Sequence, residues 1–100
     1  MADATMLDAV KLSLAVTVDD YDSEIMDLID AALADMRTRG ILVDELVDAG
    51  DALLLQAVKT YARANFQSPA DHDRLVASWE NQIVTMMHAS GYTNFETEVG

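Results

Sequence analysis

The sequence predicts an all-α protein, a small bundle of about four helices followed by a flexible C-terminal tail. Three observations lead there. The 100 residues contain one proline and four glycines, too little punctuation for the many turns of a small sheet protein. The marks that exist, Gly40, Gly50, Pro69 and Gly91, cut the chain into segments of helical length. Within those segments apolar residues recur every three to four positions.

The first helix is expected near residues 5–15. Thr5 is a candidate cap, with Asp8 three residues on in an imperfect capping box. Leu7, Val10, Lys11 and Leu14 follow at helical spacing, and the β-branched residues of 15–18 should leave the helix. The second, near 21–39, carries the clearest signal. Ile25, Leu28, Ile29, Ala32, Leu33 and Met36 form one face, and Asp27, Asp30 and Asp35 the other. Acids crowd its first turn, Arg37 and Arg39 its last, both favourable to the helix dipole, and Gly40 suits the position after the helix. Residues 41–50 read either as extended at Ile41, Leu42 and Val43 or as a helical turn over 43–47; in either form Ile41, Val43, Leu46 and Val47 require partial burial.

The third helix is expected near 51–67, with Leu54, Ala57, Val58, Tyr61, Ala62 and Asn65 on one face and Phe66 beside it. Three consecutive leucines, 53 to 55, make its start apolar nearly all round, so that end should be well covered. Lys59 and Arg63 share a different, solvated face. Ser68 as cap and Pro69 at the first helical position announce the fourth helix, near 69–90. Its face is Leu75, Val76, Trp79, Ile83, Met86 and Met87. Trp79 with the two methionines reads as ordinary core, with a partner-binding groove as the alternative. One helical domain over 1–92 and a tail over 93–100 is the resulting division. The tail alternates apolar and polar, and Phe95 and Val99 are its candidate partner-binding residues.

Charge restricts function. Eighteen Asp and Glu face six Lys and Arg, a net charge of -12, in a chain that is 51% hydrophobic. That is too apolar for disorder and too acidic for direct binding to nucleic acid or an anionic membrane surface. No cysteine is present, which excludes disulfides and thiolate chemistry and fits a reducing compartment. No leader-like opening and no membrane-spanning run is seen. The acidic run 19–24 lacks the central glycine and twelfth-position glutamate of a calcium loop, and serves better as a helix start. His72 and His88 are sixteen apart and form no zinc pair. With no nucleophile elbow and no phosphate loop, no enzyme activity, metal or cofactor is expected. What remains is interaction. Lys59 and Arg63 are the one basic pair a turn apart, and Glu24, Asp27 and Asp30 offer an acidic face to match. One patch of each sign suits a head-to-tail contact between copies, which closes into a ring when the rotation permits.

The chain resembles the small bacteriophage head–tail connector proteins, also labelled DNA-packaging proteins. The resemblance is carried by Leu7, Val10 and Leu14, then Val18-Asp19-Asp20-Tyr21-Asp22, then an Ile-x-x-Leu-Ile-x-Ala-Ala helix beginning at Ile25. It continues in Ala57, Val58 and Tyr61 with Phe66, then Asp73-Arg74-Leu75, Trp79-Glu80 and Ser90-Gly91-Tyr92. It covers residues 5–93. The 41–50 linker departs from the pattern in lacking a proline before the third helix. The resemblance implies a virion neck protein made in the host bacterial cytoplasm. It implies a homo-oligomeric ring, often dodecameric, between the portal and a stopper or tail-completion protein, whose lumen passes DNA without gripping it. A small acidic regulatory or inhibitory module that occupies a basic partner surface is the alternative reading.

Overall fold

The computed structural model describes residues 4–89 and 91–93. Five helices follow one another: α1 (Ala4–Ser13), α2 (Asp22–Thr38), α3 (Val43–Asp48), α4 (Ala52–Asn65) and α5 (His72–His88). The fold is all-α, and the fifth helix is the short α3 that fills the uncertain linker. The sequence-predicted tail beyond residue 93 lies outside the described residues.

Local chemistry ends α1, α2 and α3 in the same way. In α2 the amide of Gly40 donates to the Arg37 carbonyl at 3.0 Å and that of Ile41 to the Met36 carbonyl at 3.1 Å. Gly50 and Asp51 repeat this pair of bonds on Val47 and Leu46, both at 3.0 Å. Ala15 and Val16 repeat it on Leu12 (3.1 Å) and Lys11 (2.9 Å). This double closure needs a left-handed residue after the helix. Gly40 and Gly50 supply it, with φ of 89° and 67°; Ala15 supplies it at 59° despite its Cβ.

The start of α5 differs from expectation. Gln67 and Ser68 both adopt positive φ, 58° and 50°, so Ser68 lacks the extended backbone of an N-cap. Pro69 opens a turn, closed by the His72 amide on the Pro69 carbonyl at 3.2 Å, and the helix begins at His72. At the other end Thr5 lies inside α1 rather than at its cap, because the helix already includes Ala4.

α4 packs against all four other helices. Tyr21 meets Phe66 edge-on at 5.5 Å, which sets the start of α2 beside the end of α4. Tyr61 meets Trp79 at 5.0 Å between α4 and α5. The periodic faces are buried as the spacing dictates: Ile25, Ile29, Leu33 and Met36 from α2, Leu54 and Val58 from α4, Trp79 and Ile83 from α5. Trp79 and Met86 are core; Val76 and Asn65, assigned to inward faces by spacing, are exposed. Ile41, Val43 and Leu46 are buried and Val47 half-buried, as the linker required.

Residues 91–93 close the bundle. Ile41 and Thr93 form an antiparallel bridge, and the Leu42 amide donates to the Tyr92 carbonyl at 2.9 Å. Thr93, expected at the head of a free tail, is 2% exposed and belongs to the folded body.

Candidate assembly surface

Among the described residues four of the six cations form ion pairs and two do not. Lys11 bridges α1 to the start of α2 through Asp19 at 3.0 Å and Asp22 at 2.7 Å, and these carboxylates raise its pKa. The acidic run is therefore a structural helix start. Arg37 pairs with Asp44 at 2.8 Å, linking α2 to α3 and lowering the Asp44 pKa. Arg39 holds both oxygens of Glu80, at 2.8 and 2.9 Å, and Asp35 at 3.2 Å. That fork joins α2 to α5, raises the Arg39 pKa and holds the Glu80 carboxyl below its usual range. Arg74 pairs with Asp71.

Lys59 and Arg63 have no carboxylate within ion-pair distance among the described residues. They stand one turn apart on α4 and continue a row begun by Leu55. Each is two positions from Tyr61, hence about 200° around the helix from it. Tyr61 faces the α2 and α5 side, in a cleft shared with Asp35 and Trp79, so the cationic row points to the opposite side. Arg63 is exposed and rims a groove of about 260 Å³ lined in part by Leu14, Phe66, Leu75 and Asp71, whose carboxyl is held below its usual range by Arg74 first and also by Arg63. Lys59, expected in full solvent, is half-buried.

The acidic partners sit on α2. Glu24 and Asp27 are exposed and Asp30 is half-buried. Asp27 is two residues from both Ile25 and Ile29, which are fully buried, so it points away from the core. Among the described residues neither Glu24 nor Asp27 is within ion-pair distance of Lys59 or Arg63. Phe95 and Val99 lie outside the described residues.

Among the described residues no group of three His, Asp or Glu is arranged to hold a metal ion, and no helix is long and apolar enough to cross a membrane. The ring of His72, read as plain surface from sequence, ties α5 to the end of α4. Its Nδ1 lies 2.6 Å from the Ala64 carbonyl, which only accepts, so Nδ1–H donates. His88 Nδ1 donates to the Val84 carbonyl at 2.9 Å. Spacing alone missed the Asp51–Tyr92 bond of 2.6 Å; the helix-start position of Asp51 was the available signal for its half of the contact.

The family model described as phage connector protein matches residues 6–96. The chain belongs to the phage connector protein family. No curated protein and no solved structure matches it. Family membership makes this phage connector protein a structural component of a phage particle, which agrees with a surface built of charge patches around a filled core.

Proposed function

We propose that the protein assembles head-to-tail into a ring in the phage neck, between the portal and a stopper or tail-completion protein, and that DNA passes through the ring. The observation that carries this reading is the pair Lys59 and Arg63, the two cations that the -12 chain leaves without an internal ion pair among the described residues. In the ring they face Glu24, Asp27 or Asp30 of the next copy. Because the two faces lie on different sides of the subunit, the contact is heterologous, and such contacts close into rings when the rotation permits. The acidic surplus lines a passage that repels the DNA backbone and so lets it slide.

Native mass spectrometry across protein and salt concentration, with and without the cognate portal, tests the reading. Rings are expected for the native chain. Reversing Lys59 and Arg63 to Glu should abolish them while circular dichroism stays helical. Normal rings from the double reversal would defeat the charge-matching contact. No ring in the presence of the portal would defeat the connector-ring reading in favour of a small binding module.

A further inference from the structure

Arg63 shares its groove with an acid of its own chain. Of the residues that line the groove at the end of α4, only Arg63 and Asp71 carry charge. Their neighbours along the chain fix this meeting. Ala64 follows Arg63, His72 follows Asp71, and the His72 Nδ1–H donates to the Ala64 carbonyl at 2.6 Å. That bond pins the first residue of α5 to the end of α4, so the two side chains beside it enter one groove.

Asp71 nevertheless does not pair with Arg63. Its Oδ2 accepts from Nη2 of Arg74 at 2.5 Å, three residues along and on the same side of α5. The Asp71 side chain makes no capping bond to the start of α5, which leaves the carboxylate to the cations around it. Arg74 lowers its pKa first, and Arg63 lowers it too, from beyond ion-pair distance. Two cations thus act on one anion, and the nearer one holds it. The Arg74 and Asp71 side chains are 70% and 42% accessible. An exposed pair of this kind shifts an equilibrium by no more than about fivefold, so loss of Arg74 is enough to redirect Asp71. The cation left to it in the groove is Arg63. An ion pair there would cancel the charge that Arg63 offers to another subunit.

We propose that Arg74 is a positioning residue for assembly: it holds Asp71 along α5 and so leaves Arg63 open to the acidic face of the next copy. The proposal rests on the ring reading above and names the residue that keeps its cation available. Arg74 touches no neighbour in this account; it acts through Asp71.

Two measurements test it. In dilute subunits, carbon-detected NMR follows the titration of the Asp71 carboxyl. In Arg74→Gln its pKa should stay below that of the double variant Arg63→Gln/Arg74→Gln, because Arg63 takes over the carboxylate. Equal values in the two would overturn the proposal and leave the ring reading standing. Native mass spectrometry of the full chain with the portal then gives the concentration at which rings half-form. Arg74→Gln should raise it about two- to fivefold, the range of an exposed ion pair, with unchanged helicity by circular dichroism. Arg74→Lys, which keeps the charge, should assemble as the native chain does. In an Asp71→Asn background Arg74→Gln should have no effect, since no carboxylate is left to redirect. An equal effect in both backgrounds overturns the proposal, for Arg74 would then act through net charge or by touching the neighbour itself. Absence of any ring from the native chain with the portal removes the ring reading and the assembly role of Arg74 with it, whatever the titration gives.

Discussion

The Asp51 carboxylate serves two segments of chain at once: its Oδ1 accepts from the Tyr92 hydroxyl at 2.6 Å while its Oδ2 accepts from the Leu54 amide at 2.9 Å. One side chain therefore caps α4 and fastens a segment 41 residues away. The bond to Asp51, with partial burial, pushes the Tyr92 phenol above the ordinary tyrosine value. Tyr92→Phe should lower stability by about 1 kcal/mol, a hydrogen bond to a half-buried carboxylate. Asp51→Ala should cost about 2 kcal/mol, because it removes the cap as well. Urea unfolding checks both. A phenol whose folded pKa is raised stabilises fully below its unfolded pKa, about 10, and loses that contribution as pH rises through the folded value. The gap between native and Tyr92→Phe stability should thus narrow above about pH 10. A gap that stays constant to higher pH would show that the bond does not hold the segment.

Ala15 holds a left-handed conformation at the position where α2 and α3 use glycine. For an L-residue with a Cβ this costs roughly 1–2 kcal/mol. Ala15→Gly should raise stability by about 1 kcal/mol, offset in part by the freer unfolded chain. The opposite change, Gly50→Ala, should cost about 1 kcal/mol. No atom lies within 4 Å of the Cβ it would add, so that cost is backbone strain alone. Thermal midpoints of the two variants should move in opposite directions.

The Arg39–Glu80 fork is partly exposed, with side chains 30% and 48% accessible, so screening limits its contribution. A double-mutant cycle with Arg39→Met and Glu80→Gln should give a coupling of about 0.5–1 kcal/mol at neutral pH. Glu80 has a lowered folded pKa, so its contribution is present above the unfolded value, about 4.3, and is lost as pH falls through the folded one. The coupling should therefore disappear in strong acid. A cycle that keeps its coupling well below the folded pKa would mean packing, not charge, joins α2 to α5 at this point.

Salt should act on assembly in two directions. Subunits of net charge -12 repel one another, and at about 0.1 M salt exposed charges are screened beyond about 10 Å. Ring yield should rise as salt is added from low concentration, then fall as the Lys59 and Arg63 contacts weaken. A yield that only rises would point to an apolar contact without specific ion pairs.

The helical class, the order of the long helices and most of their buried faces follow from sequence, because a 3.6-residue period of apolar side chains has one low-energy arrangement against a core. Glycine marked the ends of α2 and α3 for an equally local reason, the left-handed turn. The ends of other elements were not legible. Ala15, Gln67 and Ser68 occupy left-handed backbone without a sequence signal, since tertiary packing supplied the energy to hold them there. The candidate assembly residues on α2 and α4 were legible as charges, but a charge pattern does not say which cations are already paired. Only the fold showed that Lys11, Arg37, Arg39 and Arg74 are in ion pairs and that Lys59 and Arg63 have none among the described residues. It also showed that Leu53 is exposed and Leu55 half-buried, although both are apolar enough to demand cover. Periodicity is a property of neighbours along a helix; ion pairs, clefts and the grip of Thr93 on Ile41 join residues that are distant in sequence, and those distances close only when the helices pack.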